Sequence, residues 1–497
     1  MHTNKRKAGL RALSGFILAS GTVLAGCSTD KLVTVTDPTY LSPGSIDNAA
    51  SVPGLIQGAL VQLQGGYSGF GDDAFVASSA LISDEFYWGD TFTTRQAVDM
   101  RILQPTALGN VPDPAFARLQ QARFNARRAY AAIGKFPGST SNDLSNQSLM
   151  RTYEGYTYVT ISEGWCNSVP FSILPDSGAI DPAQLVGGVG INTKQMNDTA
   201  ITRFNQALAI TTASAANLNL ARVGAGRALL NEGRFAEAAV AVSAVPDKYV
   251  FLFQHSTNSG SENNPVAALI QNGRYGVGNL EGAVNASGTA ARPDTGSTAV
   301  TASSAEGLPF RGAKDPRIPY EAKPNCFTSS IRCWYNDNYP SLASQLPLAS
   351  GVEARLIEAE AALQAGDAAT MMSKLNALRA SAATLLPVLY PQQKQVFSTT
   401  LAALADPADP LTTTAAQFAS RRDLLFRERA FWLYNTGHRQ GDLRRLARDY
   451  GLATSAVFPS GPYFRGGTYG ADVSFPVPFN EANNANYVAT GCDTTKP

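Results

Sequence analysis

The residue whose chemistry stands out first is Cys27, at the end of Leu24-Ala25-Gly26-Cys27. A thiol placed just after small residues can accept a diacylglycerol thioether, and cleavage before it then frees an amine for a further acyl chain. Each buried methylene of such a chain contributes about 0.8 kcal/mol, and two or more chains hold a protein stably on a membrane. Two other groups of residues carry recognition chemistry rather than reaction chemistry. Phe86, Tyr87, Trp88 and Phe92 stand beside Asp84, Asp90 and Arg95. Trp334 and Tyr335 stand beside Arg332, Asn336, Asp337 and Asn338. Aromatic faces suit the apolar face of a sugar ring, and Asn, Asp and Arg at the edges supply hydrogen bonds. The residues taken forward as ligand-contacting are Tyr87, Trp88, Phe92, Arg95, Trp334, Tyr335 and Asn336. Tyr463, Phe464 and Tyr469 form a weaker third set, among glycines. Aromatic residues also plug loops and anchor protein interfaces, so each set has a structural alternative.

Reaction chemistry is harder to find. No Gly-x-Ser-x-Gly elbow and no His-Glu-x-x-His helix occurs in the sequence. Asp84 and Glu85 are adjacent, so they do not make the separated carboxylate pair of a glycosidase. The chain is read as a non-enzyme with no cofactor and no metal.

Around Cys27, Lys5, Arg6, Lys7 and Arg11 precede an apolar run, Leu13 to Leu24, too short to span a bilayer. Residues 1–26 are therefore expected to be a lipoprotein signal peptide and 27–45 a lipidated tether. Losing four basic and no acidic residues takes the formal charge from +1 to −3. A near-neutral chain has no strong electrostatic claim on nucleic acid. The other four cysteines, Cys166, Cys326, Cys333 and Cys492, suit disulfides in an oxidising compartment. Cys326 and Cys333 enclose a short loop and are the favoured pair. A Cys166–Cys492 bridge follows only by elimination, and the connectivity stays open.

The elements that must position these groups are mostly helical. Apolar spacing predicts helices over 47–63, 74–85, 114–133, 149–163, 199–210, 219–232, 236–243, 353–363, 416–434 and 437–450. Two places look like tetratricopeptide units. In one, a small-residue-rich helix meets Gly233-Arg234-Phe235 and an Ala-Glu-Ala-Ala run. In the other, a helix ends at Ala365-Gly366-Asp367 and a second continues through Arg379. Residues 250–345 are rich in Gly, Asn, Ser and Thr, and are read as short strands and turns between helix pairs. The segment holding Phe86 to Arg95 reads as a loop. The tail after Tyr450 is read as wrapping the helical body. The fold expected is mainly α, one domain over 46–497.

Four stretches together resemble the SusD/RagB family of nutrient-binding lipoproteins. They are Arg151 to Cys166 with Val169-Pro170-Phe171; Asp315-Pro316-Arg317 with the helix from Glu353; Arg427 to Leu433 with Gly437-His438-Arg439 and Asp442 to Arg445; and Phe475-Pro476-Val477-Pro478 with Glu481 and Asn483 to Asn486. The third is the most specific. There Glu428, Arg429, Arg439, Asp442 and Arg444 lie close to Phe431 and Trp432, a pattern suited to a buried seam between helices rather than to a ligand. The resemblance implies a SusD-like helical scaffold with tetratricopeptide-like pairs. It also implies a place on the outer face of the outer membrane, an oligosaccharide or other nutrient as ligand, and a SusC-like TonB-dependent barrel as partner. Ser28-Thr29-Asp30-Lys31 lacks the acidic run that often accompanies surface export. A second reading is a structural or assembly lipoprotein whose helical repeats only hold another protein.

Overall fold

The computed structural model describes residues 47–69, 74–105, 109–173, 186–282, 307–394, 400–408 and 413–497. Cys27, the signal segment and the tether lie outside the described residues. From Ala49 to Pro497 the chain forms one compact unit.

Its helices, in chain order, are α1 (Val52–Tyr67), α2 (Phe75–Ile82), α3 (Thr93–Asp99), α4 (Asp113–Lys135), α5 (Asp143–Gly164), α6 (Thr193–Leu208), α7 (Ala215–Asn231), α8 (Phe235–Val242), α9 (Pro265–Gln271), α10 (Gly351–Gln364), α11 (Ala368–Ala380), α12 (Ala382–Leu389), α13 (Thr414–Trp432), α14 (Arg439–Arg448) and α15 (Thr454–Val457). The strands are β1 (Phe86–Trp88), β2 (Val169–Pro170), β3 (Gly190–Ile191), β4 (Val250–Phe253), β5 (Tyr275–Val277), β6 (Tyr320–Lys323), β7 (Cys333–Asn336) and β8 (Leu346–Ser350). They pair as four two-stranded antiparallel sheets, β1–β5, β2–β3, β4–β8 and β6–β7. The mainly helical class expected from the sequence is what the chain adopts.

The helices stack in series. α1 packs on α4, α4 on α5, α5 on α6, α6 on α7, α7 on α8, α8 on α10 and α10 on α11. Small residues make the central contacts close. Phe204 of α6 enters between α5 and α7, where a Cβ on Gly155 would stand 2.7 Å from its ring and Gly224 leaves no room for one either. Both tetratricopeptide-like pairs turn on a glycine of positive φ: Gly233 at 70° between α7 and α8, and Gly366 at 73° between α10 and α11. A left-handed residue just past a helix C-terminus is where glycine costs least.

Caps account for where the sequence reading misplaced helix starts. α5 begins six residues ahead of the expected Leu149 because Asn142 accepts from Ser145 N–H. α6 begins at Thr193 rather than Thr199 because Asn192 and Gln195 form a capping box. α2 stops at Ile82, short of the expected Glu85. Beyond it the expected loop is a strand: Phe86–Trp88 is registered against Tyr275–Val277.

The helical body is joined by a buried seam of charge. Arg317 is fully buried and donates to both carboxylate oxygens of Glu428, at 2.7 and 3.0 Å, and to Asp315. Its guanidinium lies 5.3 Å from the Phe431 ring and 5.2 Å from Trp432. Arg379 completes Glu428 at 2.8 Å. Arg429 holds Asp442 at 2.8 and 2.9 Å, and Arg445 bridges Asp442 to Glu360. Arg439 grips Asp84 at 2.6 and 2.8 Å. Arg444 donates to the carbonyls of Ser162 and Glu163 at the end of α5, where the helix leaves carbonyls unsatisfied. Burial opposes ionisation of Asp442, but Arg429 and Arg445 outweigh it and hold the carboxyl well below its ordinary range. The same burial, with Arg448 nearby, lowers Arg444 to about 9.

The tail wraps this body. Phe475 pairs by backbone with Gly164 and Cys166, and its ring meets Trp165 at 5.3 Å. Disulfides join Cys166 to Cys492 and Cys326 to Cys333.

Candidate functional site

β1 and β5 lie side by side, β5 lies against β7, and the disulfide-closed loop from Cys326 to Cys333 folds over the end of that pair. Backbone bonds hold the loop down: Thr328 N–H donates to Gly89 O at 2.9 Å and Phe327 N–H to Gly273 O at 2.8 Å. The approach requires two glycines. Gly273 has φ +64°, and a Cβ there would stand 2.8 Å from Phe327 N; on Gly89 it would stand 2.6 Å from Cys326 Sγ. The third aromatic set arrives from the tail. Tyr463 donates to Asp99 at 2.7 Å, Phe464 meets Tyr87 edge-on at 6.0 Å, and the Arg465 guanidinium lies 3.9 Å over the Trp88 ring. Three sequence-distant groups of aromatic residues thus converge on one place.

Within it, the residues expected to contact ligand divide sharply. Tyr87 is fully buried, donating to Arg332 O at 2.8 Å, and Trp88 is 3% exposed, its indole N–H bonded to Asp90 at 2.6 Å. Neither ring presents an open face, so both are corrected from ligand platform to foundation. The cause is the strand pairing that the sequence reading took for a loop. Arg95 is also buried, paired with Asp90 at 2.8 Å. Phe92 is 51% exposed.

The second set is corrected too. Trp334 and Tyr335 are neighbours on β7 and point to opposite sides of the β6–β7 ribbon, so they do not form one platform. Trp334 is half-buried against Tyr320, with Arg311 and Arg332 at 4.7 and 4.9 Å from its ring. Tyr335 is half-buried on the other side, under Lys323 at 5.6 Å. Asn336 is buried and bonded to Pro319 O and to Asn338 N–H.

Two residues that sequence reasoning passed over complete the surface. Phe327 is 52% exposed, and Arg274 places its guanidinium 4.7 Å from the Phe327 ring and 5.1 Å from the Phe92 ring. The Arg274 side chain is 20% exposed and pairs with Asp90 at 3.2 Å. Phe92, Arg274 and Phe327 form an open shelf in which a cation is flanked by two rings. Phe327 had a signal, since it sits inside the short cysteine loop. Arg274 had none, because its place depends on the pairing of β1 with β5.

Under the shelf are carboxyls in an unusual state. Burial raises Asp99 to about 7, against the opposing effect of hydrogen bonds from Tyr463 and Trp88 N–H. Burial also raises Glu281 to about 8, with the Asp99 charge adding to it. Asp84 and Glu85 are both fully buried; Asp84 is held by Arg439, and Glu85 accepts from Asn435 N–H at 2.9 Å.

No protein-family model matches the chain. No curated protein matches it either. Solved structures do. A laminarin-binding SusD-like protein superposes with a TM-score of 0.56 at 14% identity, over 89% of this chain and 98% of its own. The fold is SusD-like. A SusD-like carbohydrate-binding protein from Bacteroides fragilis gives 0.56 at 13% identity, covering 89% of this chain and 99% of its own. A SusD/RagB family protein from Bacteroides thetaiotaomicron gives 0.55 at 11%, covering 87% and 96%. Identity this low speaks to the SusD-like scaffold and not to the ligand.

Proposed function

We propose that this SusD-like chain is a nutrient-capture lipoprotein. Acylated at Cys27, it sits on the outer face of the outer membrane, takes up an oligosaccharide and passes it to a SusC-like TonB-dependent barrel. The observation that carries this reading is the pair of half-exposed rings, Phe92 and Phe327, set about one guanidinium, the second of them on a disulfide-closed loop, on a SusD-like scaffold. Exposed rings fixed in advance lose little entropy when a sugar stacks on them. Two of the similar structures are described as laminarin-binding and carbohydrate-binding, which favours a glycan over other nutrients.

The test is calorimetric titration of the detergent-solubilised full chain with a panel of oligosaccharides, beside pull-down of a barrel from the same membranes. Binding to at least one oligosaccharide that weakens about ten-fold or more in Phe92→Ala and Phe327→Ala is the expected result, since stacked aromatic anchors carry a disproportionate share of binding energy. Barrel recovery with no glycan bound by either variant or parent would instead support the assembly reading. One feature favours that second reading: an open cleft of about 400 Å³ between Gly233–Glu237 and Ala361, Gln364 and Ala365, with Val240 strongly exposed on the same helix pair.

A further inference from the structure

We infer that the shelf selects oligosaccharides bearing carboxylates, that is, uronic-acid chains, over neutral glycans. This rests on the capture reading above and adds the class of ligand.

The charges gathered around one aspartate point this way. Asp90 is fully buried and its carboxylate is saturated. One oxygen accepts from Trp88 Nε1 and Phe92 N–H, both at 2.6 Å; the other accepts from Arg95 at 2.8 Å and Arg274 at 3.2 Å. A third guanidinium, Arg465, donates to the Asp90 main-chain carbonyl at 3.0 Å while stacking on Trp88. Among the described residues, no carboxylate lies within ion-pair distance of Arg465. Arg95 and Arg274 therefore share one carboxylate, while Arg465 bonds the main chain beside it. Arg465 also acts by charge on Asp99, whose carboxyl burial raises to about 7. Two of the three cations, Arg274 and Arg465, are partly exposed, and Arg274 stands between the two exposed rings.

That arrangement fixes what a ligand must bring. Arginine only donates, and Asp90 has no oxygen left to accept a sugar hydroxyl. A neutral sugar offers hydroxyls that both donate and accept, and gains nothing from the charge of the two partly exposed guanidiniums, Arg274 and Arg465. A carboxylate is acceptor-only and matches the planar guanidinium fork. The rings on either side ask for a flat apolar face next to that carboxylate. A pyranuronate has both: a C–H face for phenylalanine and a carboxylate at its edge. An acidic peptide would bring the charge without the rigid apolar face.

The test titrates the full chain in neutral detergent with four probes: unesterified oligogalacturonate, its methyl ester of the same length, a laminari-oligosaccharide, and oligoglutamate. The expected result is binding of the unesterified oligomer, at least ten-fold weaker binding of the ester, and loss of affinity as salt rises from low to physiological strength. Arg465→Gln and Arg274→Gln should each weaken the acidic oligomer about ten-fold or more, the usual scale for a lost charge-assisted bond. The ester comparison uses the unaltered protein, so a misfolded variant cannot decide the outcome. Equal binding of ester and acid, or preference for the neutral glucan, overturns the inference and leaves glycan capture standing. Oligoglutamate bound in preference to every glycan overturns the inference in favour of an acidic peptide. Silence towards all four overturns the inference, and the capture reading falls with it only if the wider oligosaccharide panel is silent too.

Discussion

The seam at Glu428 and the shelf at Asp90 are built from the same parts. Each sets arginines against carboxylates and aromatic rings. In the seam, Glu428 answers Arg317 and Arg379, Asp315 adds to Arg317, and Asp442 and Glu360 answer Arg429 and Arg445. Every one of those side chains is buried or nearly so. On the shelf, Arg95 and Arg274 meet one carboxylate, Arg465 bonds the main-chain carbonyl of the same residue, and two of the rings face solvent. Composition alone does not separate a structural joint from a binding surface. Exposure does: a closed network has nothing left to offer a ligand, whereas an open one does.

The contrast is broken most severely by removing one arginine from each region. Arg317→Met leaves Glu428 and Asp315 buried with a partner missing, and removing half of a buried ion pair typically destabilises by about 3–5 kcal/mol. Arg274→Gln removes a partly exposed group from a carboxylate that keeps Arg95, and should cost no more than about 1 kcal/mol. Urea unfolding of the two variants measures the difference. Similar losses in both would show that the shelf is a second structural joint.

A smaller effect separates the shelf from its support. Replacing Cys326 and Cys333 by serine opens a loop whose ends are 7 residues apart in sequence. On the loop-entropy account that costs about 2.5 kcal/mol. The loss should fall on the loop, so ligand affinity should drop by more than the loss of global stability accounts for. Hydrogen exchange at Phe327 and Thr328, whose N–H groups bond Gly273 and Gly89, reads the local part. Protection unchanged there would mean that β-pairing and not the disulfide fixes the shelf.

Much of the scaffold could be read from the sequence because helical spacing and turn glycines are local signals. The Gly233 and Gly366 turns, the helix pairs around them, and the charged run from Glu428 to Arg444 were all legible for that reason. The shelf was only partly legible. Aromatic clusters at 86–92 and 326–335 were visible, and so was the short cysteine loop. Which ring faced out was not. Tyr87 and Trp88 went inward because β1 pairs with a strand nearly two hundred residues away, and Trp334 parted from Tyr335 because adjacent strand residues alternate. Arg274 acquired its role from the same long-range pairing. Exposure set by non-local pairing leaves no periodic trace in one chain.

The finest distinction between the two regions is in their response to pH. In the seam, Asp442 is held well below its ordinary value, so the stability it contributes is present above the unfolded-state value near 4 and is lost only as acid takes the pH below that. Beneath the shelf the sign reverses. Asp99 and Glu281 are raised to about 7 and about 8, so the folded state holds protons that the unfolded chain has released. Their contribution is full below about pH 4 and declines as pH rises to 7–8, with a slope of at most about 1.4 kcal/mol per pH unit for each group. Asp99 is faced by Tyr463, the Trp88 N–H, Arg465, Glu281 and Tyr469, and of these Arg465 opposes the raised value by charge. Asp99→Asn keeps an acceptor for Tyr463 and Trp88 and removes the titration. Urea midpoints of the parent should therefore fall from pH 4 towards pH 8, and Asp99→Asn should fall less steeply over the lower part of that range. Asp442→Asn should leave the slope between pH 5 and 8 unchanged while lowering stability throughout. Were Asp99→Asn to track the parent at every pH, the proton would have to reside elsewhere, and the shelf would rest on a charged carboxylate that draws on Arg465.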